Sequence, residues 1–205
     1  MGKLIVNEKN DVKGNLVCLF EQEMNIPSAK EKKQIVRAKM VFQGGKSFPV
    51  TYSCDSSPGV TYSIEIENDK IVRMLKNKNG KKENVKPYKP EMTLLDLVVY
   101  PTVTYLIRQY DANKGGDQFF QTYTLPYDSV EKIAVIPKKI TMPEHETREL
   151  QLKNYEIEVR EDLKLLVWID KDKHLYRMFA QGPNVEVIRS DLFDRLNKKM
   201  ESRDK

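Results

Sequence analysis

The side chains that could carry chemistry in this chain are few: two histidines, two cysteines, scattered acids and one dense run of lysines. His145 stands in Pro143-Glu144-His145-Glu146, where adjacent side chains diverge, and His174 stands in a polar connection of hairpin length. The H-x-x-x-H spacing that brings two imidazoles to one ion on a helix is missing, so both read as surface histidines, and no metal or cofactor is expected. Cys18 lies inside the apolar run Leu16 to Phe20. It could pair with Cys54 in an oxidising compartment or stay a buried thiol. Gly44-Gly45-Lys46-Ser47 has the letters that end a phosphate-binding loop, but Met40 stands where the first glycine is needed and Phe48-Pro49-Val50 reads as strand rather than helix. A turn lysine is the better account of it. No G-x-S-x-G is found and neither cysteine has a local nucleophile signature, so no catalytic residue is assigned. Glu65 and Glu67 share a strand face, a geometry open to acid and base work, yet such pairs are ordinarily the wet side of a half-buried strand.

The lysine run is different in kind. From Lys70 to Lys89 eight basic residues stand against Glu83, giving +7 there, while the whole chain is only +5 and the remainder therefore −2. Asn79-Gly80 within it is a strong hairpin signal. Two short strands carrying this charge would attract phosphate or an anionic surface through their summed field, with Lys76, Lys78, Lys81 and Lys82 beside the turn as the anion-binding candidates. Lysines on an edge hairpin also block edge-to-edge pairing. Arg73 is the run's one arginine and Tyr88 its one aromatic, which argues against sequence-specific nucleic-acid recognition.

These residues must be held by a framework. With 205 residues and 40% hydrophobic composition, a single domain spanning 1–205 with a real core is expected. The most apolar stretch, Leu94 to Val99, is broken by Asp96 and followed by Pro101, so no helix spans a bilayer. Period-two patterns predict strands over Asn15–Met24, Gln34–Phe42, Thr61–Ile66, the two arms of the lysine hairpin (Lys70–Lys76 and Lys82–Tyr88), Gln118–Thr124, Lys132–Pro137, Glu149–Arg160, Leu163–Ile169, His174–Phe179 and Val185–Arg189. Helical spacing of Val99, Val103, Leu106, Ile107 and Tyr110 predicts one internal helix, with Thr93 and Asp96 resembling a capping box for an extra turn. Ser190 onward predicts a C-terminal helix through Leu192, Phe193, Leu196 and Met200. The fold class is therefore mainly β: a curved antiparallel sheet or half-barrel of about ten strands, one internal helix and a C-terminal helix. The N-terminus shows no secretory h-region, which fits a cytoplasmic protein or one whose signal has been removed.

Three stretches, Tyr100-Pro101-Thr102-Val103-Thr104-Tyr105-Leu106-Ile107-Arg108, Lys114-Gly115-Gly116-Asp117-Gln118, and Leu166-Val167-Trp168-Ile169-Asp170 with Leu175-Tyr176-Arg177-Met178 and Val185-Glu186-Val187-Ile188-Arg189, resemble the bacterial DUF3108-like proteins of unknown function. That resemblance implies a curved sheet like that of lipoprotein carriers and a periplasmic or otherwise exported protein. The leading expectation is a binding or scaffold protein that holds a lipid or apolar small molecule on a concave sheet, with Tyr105, Arg108 and Trp168 as the cradle. For Trp168 by itself, packing into the core or under the terminal helix is favoured over stacking on a ligand, since it alternates with Val167 and Ile169. Two alternatives stand beside it: an enzyme whose site assembles only in three dimensions, and a peripheral anionic-surface binder acting through the lysine hairpin.

Overall fold

A computed structural model describes residues 3–25, 33–44, 46–56, 59–139 and 151–189. Fourteen strands are found there, rather than about ten, in two seven-stranded sheets, one of them curled as a half-barrel. The first sheet is a meander of β1 (Lys3–Asn10), β2 (Leu16–Asn25), β3 (Lys33–Phe42), β4 (Thr51–Ser56), β5 (Val60–Glu67), β6 (Lys70–Asn77) and β7 (Gly80–Pro87), paired in chain order. The second comprises β8 (Thr93–Asp96), β9 (Gln118–Leu125), β10 (Ser129–Lys138), β11 (Lys153–Arg160), β12 (Leu163–Ile169), β13 (Leu175–Ala180) and β14 (Val185–Ile188), again in sequential order. Neighbouring strands pair antiparallel from β1 to β7 and from β10 to β14, as strand-to-strand order requires.

The chain forms two compact units, residues 1–102 with 123–129, and residues 103–122 with 130–205. In the first, the meander's alternation places one cross-strand row, Cys18, Met40, Tyr52, Ile64, Arg73 and Asn84, beside a second, Phe20, Ala38, Cys54, Tyr62, Leu75 and Lys82. Most members of both rows are buried, so this is the core face of the sheet. In the second unit Leu152, Trp168 and Tyr176 form a buried cluster on which Leu166, Phe179 and Ile188 pack.

Several expectations are corrected. Three strands went unforeseen. β1 has no clean alternation, β4 is short and rich in serine, and β8 carries the Thr93 and Asp96 pattern expected to cap a helix. All four β8 residues are buried, and a strand buried on both faces loses the period-two signal. The internal helix is shorter than its pattern: a 3₁₀ turn covers Tyr100–Thr102 and α1 covers Val103–Arg108. Its end tightens through hydrogen bonds of 3.1 Å and 3.0 Å from the Gln109 and Tyr110 N–H groups to the Leu106 and Ile107 carbonyls. The strand expected from Glu149 begins at Lys153, and its register shift lies between Glu158 and Arg160 instead of at Asn154-Tyr155. The C-terminal helix expected from Ser190 and the position of His145 lie outside the described residues. No helix among the described residues is long and apolar enough to cross a membrane.

Candidate functional site

The lysine hairpin forms as its turn residues demand. Asn77 pairs with Gly80, leaving Lys78 and Asn79 as a two-residue connection in which the Asn77 side-chain carbonyl accepts the Asn79 N–H at 2.8 Å. Gly80 takes φ of +117°, which a β-carbon would disfavour. Lys76, Lys78, Lys81 and Lys82 are all exposed, and β7 is the last strand of its sheet. The register divides them between faces: Lys76 faces Lys81 across the pair, while Lys82 faces Leu75 on the core side.

The three cradle residues belong to the second unit. Tyr105 and Trp168 are buried, and Arg108 is half-buried with its guanidinium 4.6 Å from the Tyr105 ring. Trp168 packs on Leu152 and Tyr176 with the Arg177 guanidinium 5.4 Å from its ring, the core environment favoured for it from its alternation with Val167 and Ile169.

What the sequence reading missed is a buried polar chain in the first unit. Asp96 is fully buried, and the phenols of Tyr52 and Tyr62 both donate to its Oδ2 while the Val98 N–H donates to Oδ1 at 2.8 Å. Thr102 holds the backbone here: its Oγ1 accepts the Asp96 N–H at 2.9 Å and donates to the Asp96 carbonyl at 3.0 Å. Burial pushes the Asp96 carboxyl above the usual carboxylate value, although the two phenols and the backbone N–H groups pull it down. Both phenols are raised by burial first and by the neighbouring Asp96 second, so they remain protonated donors. Cys54 lies beside them, its thiol pushed up to about 12, chiefly by burial. Such a thiol is a poor nucleophile.

The chain continues through Arg73, whose guanidinium lies 5.6 Å from the Tyr62 ring and whose Nη1 is 3.5 Å from Asp128 Oδ2. Asp128 also accepts hydrogen bonds from the Asn84 amide and the Tyr123 phenol. Arg73 Nε is buried without a hydrogen-bond partner. Two signals for this group were present in the sequence. Asp96 interrupts the most apolar stretch, and Arg73 alternates with Ile71 and Leu75 on a strand.

Cys18 and Cys54 are unbridged thiols. They lie on β2 and β4 with β3 between them and two residues out of register, roughly 12 Å apart at ordinary strand dimensions, and a disulfide needs Cα atoms within about 7 Å. Asp170, Asp172 and His174 place ligand-type atoms within 4.8 Å of one another. Asp170, however, is engaged by the turn itself: Oδ1 accepts the N–H groups of Asp172 and His174, each at 3.0 Å, and Oδ2 accepts from Arg189 at 2.9 Å. This geometry locks a connection between strands. Glu65 and Glu67 face Val72 and Lys70 across the β5–β6 pair, on the side opposite the core rows, as expected for a solvated strand face. Residues Phe48 to Val50, expected as strand, are irregular, and Ser47 Oγ donates to the Met92 carbonyl at 3.1 Å.

No family model matches the chain, and no curated protein matches it. Among solved structures it is similar to a beta-barrel-like protein of the domain of unknown function DUF1849 from Brucella abortus. The TM-score is 0.56 at 11% identity, covering 90% of this chain and 83% of that one. Identity this low speaks to fold alone. The likeness supports the coarser half of the resemblance noted above, an uncharacterised β domain of unknown function, and does not reach the DUF3108-like proteins themselves.

Proposed function

We propose that this chain is a binding or scaffold domain whose accessible site is the β6–β7 hairpin, and that its partner is a phosphate-bearing anionic surface. The observation that carries this reading is the exposure of Lys76, Lys78, Lys81 and Lys82 on a sheet-edge hairpin within the segment Lys70 to Lys89, which holds +7 in a chain of +5. The enzyme alternative draws less support: the titratable groups that converge in the first unit are buried and already hydrogen-bonded to one another. The cradle of Tyr105, Arg108 and Trp168 also supports it less, because Tyr105 and Trp168 are packed within their own unit. The Trp168 hairpin with Arg177 and Arg189 supports, as a further part of the proposal, kinship with the DUF3108-like proteins. With it would come export to the periplasm and a lipid or apolar small molecule as ligand.

Co-sedimentation tests the main reading. The protein should bind vesicles of phosphatidylcholine mixed with phosphatidylglycerol, and not phosphatidylcholine alone. Binding should fall steeply with salt, since exposed charges are screened over about 8 Å at physiological ionic strength. At about 1 kcal/mol per lysine near an anionic surface, replacing Lys76, Lys78, Lys81 and Lys82 by Gln should weaken binding by roughly a hundredfold or more. Exposed substitutions of this kind change stability by about 0.5 kcal/mol at most each. A folded quadruple variant that binds as the parent does would leave the lysines as edge protection.

A further inference from the structure

The charge on the hairpin is not evenly spread between its faces. On the outward face of β5 to β7 stand Lys70, Lys76 and Lys81, and on the same face stand Glu65, Glu67 and Glu83, so three cations meet three carboxylates. On the core-side face of those strands stand Arg73, Lys82 and Lys86, and the strands place no acid there. Register fixes this assignment: Lys82 pairs with Leu75, which pairs with buried Tyr62, and Lys86 pairs with buried Ile71. Asn84 sits between the two lysines on β7 and directly opposite Arg73. Asp96 reaches this face at Tyr62 on β5, and the acid that reaches it at β6 and β7 is Asp128, which divides its oxygens among Asn84, Tyr123 and Arg73.

Arg73 is accordingly under-neutralised. Its side chain is 9% exposed, its ion pair with Asp128 is 3.5 Å long, and its Nε is buried and unpartnered. A buried guanidinium ordinarily uses its planar fork on a carboxylate or phosphate in two-point contact, and here part of that fork is unused. Lys82 is exposed and Lys86 half-buried, so the cations to either side of it can be reached from solvent.

We propose that the core-side face of the β6–β7 hairpin is a subsite for a phosphate monoester, with Arg73 and Asn84 as its floor and Lys82 and Lys86 as its walls. This rests on the reading of the hairpin as an anion-binding element and sharpens it, because it locates binding on one face rather than in the diffuse field of the tip. A monoester suits the site better than a diester. It carries close to two negative charges at neutral pH and three terminal acceptor oxygens, which match three cations only partly offset by one carboxylate.

A charge-matched pair of double variants tests this. Lys82→Gln with Lys86→Gln removes two charges from the core-side face, and Lys76→Gln with Lys81→Gln removes two from the outward face. Vesicles of phosphatidylcholine are prepared with phosphatidic acid, whose headgroup is a monoester, or with phosphatidylglycerol, a diester, at matched surface charge. The parent should prefer phosphatidic acid by roughly tenfold, the gain of about one charge-assisted hydrogen bond. The core-side variant should lose that preference and the outward variant should keep it. Arg73→Lys, which retains charge without the fork, should reduce the preference as well. If this buried substitution unfolds the protein, the two lysine variants still decide the matter. Free glycerol phosphate that competes at millimolar concentration assigns the subsite to a soluble monoester, whereas a preference that survives it assigns the subsite to a headgroup held in a surface. Equal weakening by the two double variants, or an equal affinity of the parent for both lipids, would overturn the subsite while leaving the anionic-surface reading intact. A parent that binds neither vesicle would overturn both.

Discussion

At the scale of single residues, Asp96 is the group with the most to reveal. A carboxyl wholly out of water favours its neutral form, and here burial outweighs four hydrogen-bond donors, the Tyr52 and Tyr62 phenols and the Val98 and Val99 N–H groups. A raised folded-state value means that the native state holds its proton where the unfolded chain has released it. Asp96 therefore contributes most stability at low pH, and that contribution declines as pH climbs from the ordinary value of 3.8 toward the raised one. Asp96→Asn should flatten this decline: in denaturant titrations from pH 4 upward, stability relative to the parent should improve with rising pH. A parent-to-variant difference that does not change with pH would show Asp96 ionised in the folded protein across the range. Tyr52 and Tyr62 donate whichever form is present, and this two-phenol clamp explains how an acid is tolerated between β4, β5 and β8.

At the scale of elements, the contrast lies between strands the hydrophobic pattern announces and pieces it does not. The hairpin was legible because Asn79-Gly80 and the arms around it agree, and the observed bounds, Lys70–Asn77 and Gly80–Pro87, differ from the expected ones by at most two residues. β8 was not legible, since Thr93, Leu94, Leu95 and Asp96 are all buried and show neither period. The helix pattern was right that Val103, Leu106 and Ile107 are buried, and wrong about length and about a single buried face, since Thr104 and Tyr105 are buried too. Val103, Leu106 and Ile107 are at most 1% exposed, while a helix of six residues leaves most of its stability to packing. Leu106→Ala should cost about 2 to 5 kcal/mol in urea unfolding, the range for truncating a fully buried leucine. A loss below about 0.5 kcal/mol would mean the side chain is not held in a packed interior.

At the scale of the whole molecule, the far-ultraviolet circular dichroism spectrum should be of β type with a weak helical component, since fourteen strands outweigh one six-residue helix among the described residues. A helix-dominated spectrum would contradict the fold. The antiparallel, sequential character of both sheets was determined by the sequence itself, because alternating strands with short polar connections leave neighbours in chain order as the simplest pairing. So was the local excess of positive charge, a property of composition. Only the tertiary structure decided which charges share a face. Residues in β5, β6 and β7 are brought side by side by register, and a one-residue slip would exchange the two faces. The union of Asp96 with Tyr52 and Tyr62, and of Arg73 with Asp128, Asn84 and Tyr123, belongs to the same class. These partners are separated by 34 to 55 positions, apart from the Tyr123–Asp128 and Arg73–Asn84 neighbours, and no local propensity encodes such meetings. They arise because a buried polar group must find its complement wherever the folded backbone presents one.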